Sequence, residues 1–341
     1  MSKLPNHILV IRLSAMGDVA MTVPVLRAFT EQYPDIKITV LTREFFKPFF
    51  RDLENVSVFA ADLKGKHKGF FGLFELSKEL RMLGIDAVAD LHNVLRSKIL
   101  KLFLLDLKPI QIDKGRAEKK ALVSGKIFEQ LKTTHQRYRD VFHKLGVPIK
   151  ETKPSFPERS ELNTKTLEIV GTNTRKWIGI APFAAHKSKM YPLPSMEEVI
   201  EELSKEYTVL LFGGKDDAEY LSEIENEHVR NIAGKLSLDE ELDVISNLDV
   251  MVSMDSGNAH MAAMMGIKVL TLWGVTHPFA GFYPFNQDAD FSLLADRAKF
   301  PKIPTSIYGN KFPEGYEDCM ITIRPEAVIE KVKYIIKNPT P

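Results

Sequence analysis

The stretch whose reading decides the fold is Leu248–Pro278, LDVMVSMDSGNAHMAAMMGIKVLTLWGVTHP. Its run Val250 to Met254 is short and apolar, as expected of a buried strand in a parallel sheet. Asp255-Ser256-Gly257-Asn258 is a polar turn that also supplies N-cap chemistry. Ala259 to Met265 predicts a short helix, small enough in side-chain volume to pack tightly on a sheet. Gly266 stands where a left-handed C-cap belongs, and Lys268 to Trp273 predicts a second strand. The resulting strand–helix–strand unit has its polar turn at the carboxyl edge of the first strand, where open α/β sheets bind ligands. Backbone N–H groups at such a helix N-terminus suit an anion such as a diphosphate. Any doubly wound domain contains a similar connection, so the turn by itself leaves ligand binding and simple linkage open.

Towards the N-terminus the same alternation repeats. His7 to Leu13 predicts a first strand, Ser14 to Asp18 a turn, and Val19 to Gln32 a helix that Pro24 must either start or kink. Further strands are expected at Ile36–Leu41, Val56–Phe59 and Ala87–Leu91, with helices over Phe74–Leu83 and His92–Leu105. Beyond the middle, strands are expected at Trp177–Ala181 and Thr208–Phe212. Helices are expected at Ser195–Tyr207 (capped by Ser195), Leu238–Asn247 and Pro325–Lys337, with loop from Pro278 through Gly315. Strands alternating with helices argue for α/β architecture with parallel, doubly wound sheets. Pro154, Pro157 and Gly171 break the pattern between Lys150 and Arg175, which places a domain junction there.

At 341 residues the chain is long enough for two domains of roughly 150 residues each. Hydrophobic content of 44% and charged content of 27% are those of a soluble globular protein. The single cysteine, Cys319, excludes an intrachain disulfide and fits a reducing compartment. The first apolar run reads as a strand and not as a secretory signal, so a cytoplasmic protein is expected. The most apolar helix-like stretch, Ile99 to Leu107, is short for a bilayer span and carries Lys101 and Asp106.

The formal net charge of +1 conceals a split. Residues 1–150 hold 26 Lys+Arg against 16 Asp+Glu, whereas residues 151–341 hold 20 against 29. The first half is therefore expected to face an anionic partner. Two basic clusters stand out in it: DLKGKHKGFF, with Lys64, Lys66 and Lys68, and the segment Ile110 to Lys120, with Lys114 and Arg116. Both read as loop-like. The first is either a solvated loop or a phosphate-gripping one.

Several chemistries lack their signatures. Gly-x-Gly-x-x-Gly and Gly-x-x-x-x-Gly-Lys-Ser/Thr are both absent, which argues against a nicotinamide or flavin enzyme and against a P-loop nucleotidase. One cysteine and scattered histidines give no zinc-ligand spacing, and no Gly-x-Ser-x-Gly elbow is present. What remains is two Rossmann-like halves with polar loops at strand ends.

Five segments carry a resemblance: IRLSAMGDVAMTVPVLRAF, KSKMYP, FGGKDDAEY, MDSGNAHMAAMMGIKVLTLWGVTHP and CMITIRPEAV. In this order the chain resembles glycosyltransferase family 9, the heptosyltransferases of lipopolysaccharide core synthesis. The resemblance implies a GT-B fold, with two Rossmann-like doubly wound domains facing a central cleft. Residues 1–160 would bind the acceptor and residues 175–341 the nucleotide sugar, with the closing helix able to pack back on the first domain. It further implies inverting, metal-independent transfer from an ADP-heptose, with no cofactor, to an acidic lipid-linked glycan at the cytosolic membrane face, and no nucleic-acid partner.

Carried over by motif position, Asp18 would be the general base that takes the acceptor hydroxyl's proton, the alternative being a helix cap. Met16 and Gly17 would flank the donor. Lys189 would hold the diphosphate. Asp217 would accept from ribose hydroxyls or act only as a local cap. Asp255 would lie against the donor sugar, Ser256 and Gly257 would offer N–H groups to phosphate, and His260 would meet the phosphates or orient the turn. Lys64, Lys66, Lys68, Lys114 and Arg116 are the acceptor-binding candidates. Phe183-Ala-Ala-His186, Tyr191 in place of a common tryptophan, and a long Phe300–Gly315 segment depart from the family pattern. They bear on donor and acceptor choice. The other readings of the same fold are a non-catalytic nucleotide or glycan binder and a nucleotide-sugar epimerase.

Overall fold

The structure, a computed structural model, describes residues 4–172 and 174–338. It contains two compact units, one made of residues 1–114 and 134–155, the other of residues 115–133 and 156–341. In chain order the elements are β1 (His7–Ile11), α1 (Met16–Ala20), α2 (Val23–Gln32), β2 (Lys37–Thr42), β3 (Val56–Ala60), α3 (Gly69–Met82), β4 (Ala87–Asp90), α4 (Leu95–Leu102), β5 (Ile110–Gln111), α5 (Arg116–Val123), α6 (Thr134–Lys144) and α7 (Thr164–Val170). They continue with β6 (Trp177–Ala181), α8 (Leu193–Ser204), β7 (Thr208–Leu211), α9 (Ala218–Glu223), β8 (Val229–Asn231), α10 (Leu238–Ser246), β9 (Val250–Met254), α11 (Gly257–Met264), β10 (Val269–Trp273), β11 (Ser292–Leu294) and α12 (Pro325–Lys337).

The first unit carries a five-stranded sheet in the order β3-β2-β1-β4-β5, every pair parallel. The second carries six strands in the order β11-β10-β9-β6-β7-β8, again all parallel. Parallel strands covered on both faces must be apolar throughout, and β9 and β10 are buried at every position. In each sheet the chain starts at a central strand, builds outward on one side, then returns to build on the other. The switch points lie between β1 and β4 and between β6 and β9. Side chains that leave the carboxyl ends of those strands share a crevice.

Local chemistry explains the boundaries. The helix expected over Val19–Gln32 divides into α1 and α2 at Met21-Thr22, which puts Pro24 in the first turn of α2, where its missing N–H leaves no gap. Gly266 adopts φ 82 after α11, and a Cβ there would lie 2.7 Å from the Phe156 ring, so the position admits little besides glycine.

Four expectations change. The cap of α8 is Pro192, with Ser195 already inside the first turn, because Pro194 is suited to an early helical position. The helix after β4 begins at Leu95 and not at His92, since His92 and Asn93 donate their amides to the Asp90 carboxylate in a turn. The Ile110–Lys120 segment is no loop: it forms β5 and most of α5, and the unit boundary separates Lys114 from Arg116. The segment after Pro278 contains β11, which pairs with β10 at the sheet edge. In the second unit, Val328, Val332, Ile335 and Ile336 of α12 join the core beside α8 and β9.

Candidate active site

In the first unit, β1 ends at Ile11, and the following Arg12 is buried. Its guanidinium is shared. Nη1 donates to the Leu91 carbonyl just beyond β4 at 2.8 Å, while Nη2 lies 2.5 Å from Asp18 Oδ2. Arg12 thus ties the two strand ends of the switch point together. Asp18 lies in the first turn of α1, a half-buried side chain at 27% exposure, and its carbonyl accepts from the buried Tyr138 hydroxyl at 3.1 Å. Asp18 does not act as the helix cap: the N-cap residue is Ala15, with no side-chain cap bond. Met16 and Gly17, at the start of the same helix, are half-buried.

Across the switch point, His92 follows β4 with 7% of its surface exposed. Its Nε2 is 3.5 Å from Ser14 Oγ. Burial, then the Arg12 and Lys114 cations, push its pKa down to about 4, against the weaker pull of Asp90 and Asp18. Beneath it, the fully buried Asp90 is saturated: Oδ1 accepts the His92 and Asn93 amides, and Oδ2 accepts Ser97 Oγ and the Lys101 ammonium. A buried carboxylate survives only with such pairing.

The basic loop has a different shape from a phosphate grip. The Asp62 carboxylate accepts the amides of Gly65 at 2.8 Å and Lys66 at 3.0 Å, and the Asp62 amide donates to His67 Nδ1 at 3.0 Å. Those N–H groups are therefore engaged within the loop. The Lys66 ammonium sits 2.8 Å from Glu79, and Lys68 is the exposed N-cap residue of α3. Lys64 instead lines a cavity of about 620 Å³ together with Arg43, Arg96 and Phe45. Of the other candidates, Lys114 lies within electrostatic reach of His92, whereas Arg116 opens α5 in the second unit.

In the second unit the equivalent switch point carries Lys189 after β6 and Asp255 after β9. They form a nearly buried ion pair, Nζ to Oδ2 at 3.1 Å, with side-chain exposures of 12% and 10%. Thr276 Oγ1, beyond β10, donates to the same oxygen at 2.9 Å. Gly309 closes over the lysine: at φ +83 its missing Cβ would sit 2.5 Å from Lys189 Cγ. Ser256 is the N-cap residue of α11, but its hydroxyl turns to Ser253 at 3.0 Å and does not cap the helix. Gly257 begins the helix, and His260 is buried one turn on along the same face. Asp217 closes its own turn by accepting the Gly214 amide at 2.8 Å. Tyr191 is a core strut whose hydroxyl donates to the Ile323 carbonyl at 2.6 Å. Among the described residues no group of three or more His, Cys, Asp or Glu side chains could hold a metal ion, and no helix is long and apolar enough to cross a membrane.

Residues 73–305 match the family profile of glycosyltransferase family 9 (heptosyltransferase). The chain belongs to this family. It is a glycosyltransferase. Lipooligosaccharide heptosyltransferase 2 of Haemophilus influenzae is 27% identical over 97% of this chain and 99% of its own length. Lipopolysaccharide core heptosyltransferase OpsX of the same organism is 25% identical over 96% of both chains. Among solved structures, a family 9 glycosyltransferase from Veillonella parvula superposes with a TM-score of 0.78 at 20% identity, covering 99% of each chain. The Escherichia coli ADP-heptose lps heptosyltransferase II gives 0.69 at 21% identity, covering 97% of this chain and 99% of its own. The two doubly wound units are thus those of the GT-B fold. The family 9 motifs brought Asp18, Lys189 and Asp255 to notice from sequence. They did not reveal Arg12, His92, Thr276, Arg43 or Arg96. A lone arginine closing an apolar strand run was the available signal for Arg12.

Proposed function

We propose that this family 9 enzyme transfers a heptose from an ADP-heptose to a lipopolysaccharide core or related lipid-linked glycan, with inversion and with Asp18 as general base. The observation that carries the reading is the Asp18 carboxylate held by Arg12 at the β1/β4 switch point, half-exposed and not spent on capping. In the reaction the acceptor oxygen attacks the anomeric carbon and the bond to the diphosphate oxygen breaks. The hydroxyl proton passes to Asp18 and ADP departs. The second unit would receive the leaving diphosphate at its own switch point. The α11 amides, not capped by Ser256, would face the phosphates, and the Lys189 ammonium has donors beyond the one given to Asp255. A half-negative diphosphate oxygen gaining charge as it leaves is stabilised by both.

On the acceptor side, Lys64, Arg43 and Arg96 outnumber Glu44 and Asp62 around one cavity, and the Asp62 carboxylate is engaged by loop amides, which suits an acidic or phosphorylated glycan. A lipid-linked acceptor would place the enzyme at the cytoplasmic face of a membrane as a peripheral protein, with its basic half turned to the anionic surface. The test is direct: purified protein, ADP-heptose and a lipid-linked core acceptor, with ADP release and glycosylated product followed together. Product of inverted anomeric configuration supports the assignment. Release of ADP without product, or retention of configuration, overturns it.

A further inference from the structure

The two switch points are built on one plan. In the second unit the strands on either side deliver Lys189 and Asp255 to each other. In the first unit the corresponding strands deliver Ser14 and Asp18 from β1, and His92 from β4. His92 is therefore a residue of the site by topology, yet the transfer described above gives it no work.

Its surroundings define what it can do. Asp90, the neighbouring carboxylate, is filled by two amides, a hydroxyl and an ammonium, so it does not orient the imidazole as a base. Ring Nδ1 is buried and has no partner among the described residues, while Nε2 faces Ser14 Oγ across a loose 3.5 Å. Burial and the Arg12 and Lys114 cations keep the ring neutral. A neutral imidazole offers one N–H donor and one lone pair, and a sugar hydroxyl likewise both donates and accepts. The long Ser14–His92 contact leaves both groups able to bond a hydroxyl placed beside Asp18, whose carboxylate is tethered to the same turn through Arg12.

We infer that His92, with Ser14, binds a second hydroxyl of the accepting sugar, neighbouring the one that gives its proton to Asp18, and so selects which hydroxyl is glycosylated. This rests on the reading of Asp18 as the base. A site built to hydrogen-bond a hydroxyl discriminates strongly against an analogue that lacks it, because its own polar groups are then left unpaired.

The test uses full-length enzyme, ADP-heptose, the intact acceptor and acceptors deoxygenated singly at each hydroxyl next to the reacting one. In the wild type, one deoxy-acceptor should lose about 10–100-fold in kcat/KM, the range expected for one buried hydrogen bond. His92→Leu should lose the same factor with the intact acceptor, lose nothing further with that deoxy-acceptor, and form a mixture of linkages. Donor KM should stay within about twofold, and His92→Gln, which keeps a donor and an acceptor, should restore selectivity. If the losses multiply, if linkage stays single, or if donor KM rises while melting temperature falls and Gln rescues neither, His92 supports the fold and the inference is overturned. Wild-type enzyme that transfers to no acceptor overturns the proposed function, and this inference with it.

Discussion

The Arg12 guanidinium grips the Asp18 carboxylate at 2.5 Å while donating to the Leu91 carbonyl at 2.8 Å. One side chain thereby fixes the carboxylate relative to two strands that are 79 residues apart in sequence. A general base works only when its oxygen stands within hydrogen-bond reach of the proton it takes. Arg12 engages Asp18 Oδ2 and leaves the half-buried carboxylate its second oxygen to offer a substrate hydroxyl.

Asp18→Asn should lower kcat by about 10²–10⁴-fold, the usual contribution of general-base catalysis, and leave donor affinity close to wild type. The asparagine keeps the shape and its amide oxygen still accepts from Arg12. Turnover measured alongside ADP-sugar binding by calorimetry checks both halves. Near-normal kcat would remove Asp18 from the chemistry.

Lys189 and Asp255 make a second prediction, because the pair has a structural and a ligand-binding face. Lys189→Ala should cost roughly 3 kcal/mol of stability by stranding a nearly buried carboxylate. It should also weaken ADP binding by about 1.5–3 kcal/mol. Adding Asp255→Ala to it should recover most of the stability and none of the ADP affinity. Denaturant unfolding and ADP titration of the single and double variants separate the two, and recovery of ADP affinity in the double variant would contradict a phosphate contact.

The cations around the first unit's cavity are exposed, so their pull on an acidic acceptor is screened within a Debye length of about 8 Å at physiological salt. Acceptor KM should rise with ionic strength while donor KM responds less. Replacing Arg43, Lys64 and Arg96 by alanine should raise acceptor KM several-fold at low salt and flatten the dependence. Replacing Lys66 and Lys68 should do less, since Lys66 is held by Glu79. A salt series on both triple and double variants is the measurement, and identical slopes would exclude the cavity.

Stability should depend on pH through two opposed groups of side chains. His92 and His277 are each driven down to about 4 from the ordinary 6.5, chiefly by burial. The unfolded chain then binds protons that the folded one refuses between those values, so this stability is present above pH 6.5 and is lost as pH falls towards 4. Glu241 goes the other way. Burial raises its carboxyl to about 7 from 4.5, so the folded chain keeps a proton the unfolded one releases. Its contribution is present below pH 4.5 and is lost as pH rises through 7. Each effect is at most about 3 kcal/mol at full extent, and less for the histidines, which solvent partly screens. Glu241→Gln should therefore stabilise the protein selectively above pH 7, and His277→Gln should flatten the acid limb. Melting curves from pH 4 to 9 would show both, and parallel curves for wild type and Glu241→Gln would refute the first.

Much of the fold was legible because parallel strands are unbroken apolar runs and their connecting helices carry clear amphipathic or capping signals. Val250–Met254, Trp177–Ala181 and Pro325–Lys337 needed no tertiary information. β11 was not legible: three residues, only partly buried, hold their place through β10 alone. α5 was masked by its charge, since a helix with Arg116, Lys119 and Lys120 in one stretch reads like a solvated loop. The site divides the same way. Asp18, Lys189 and Asp255 lie in motifs, whereas His92 acquires its setting from β1, a strand 79 residues away from its own turn in the Arg12–Leu91 bond. The ion pair of Lys66 with Glu79, a full helical stretch downstream, likewise has no signal in the local sequence.

The membership of residues 115–133 in the second unit means that the backbone passes from one unit to the other three times, after 114, 133 and 155. In the second unit Leu122 and Leu131 of this excursion are buried with Ala280, against Phe279 and Phe282. No single scissor-cut in the gene can liberate either half intact. A fragment ending at 155 carries an orphaned apolar segment, and its complement lacks the plug that covers Ala280. Clean separation calls for circular permutation or for splicing 114 directly to 134, with residues 115–133 grafted ahead of 156. Ribosomal synthesis faces the same arithmetic in time: the excursion emerges before the sheet it belongs to exists, and must wait, uncovered, for some 150 further residues to appear.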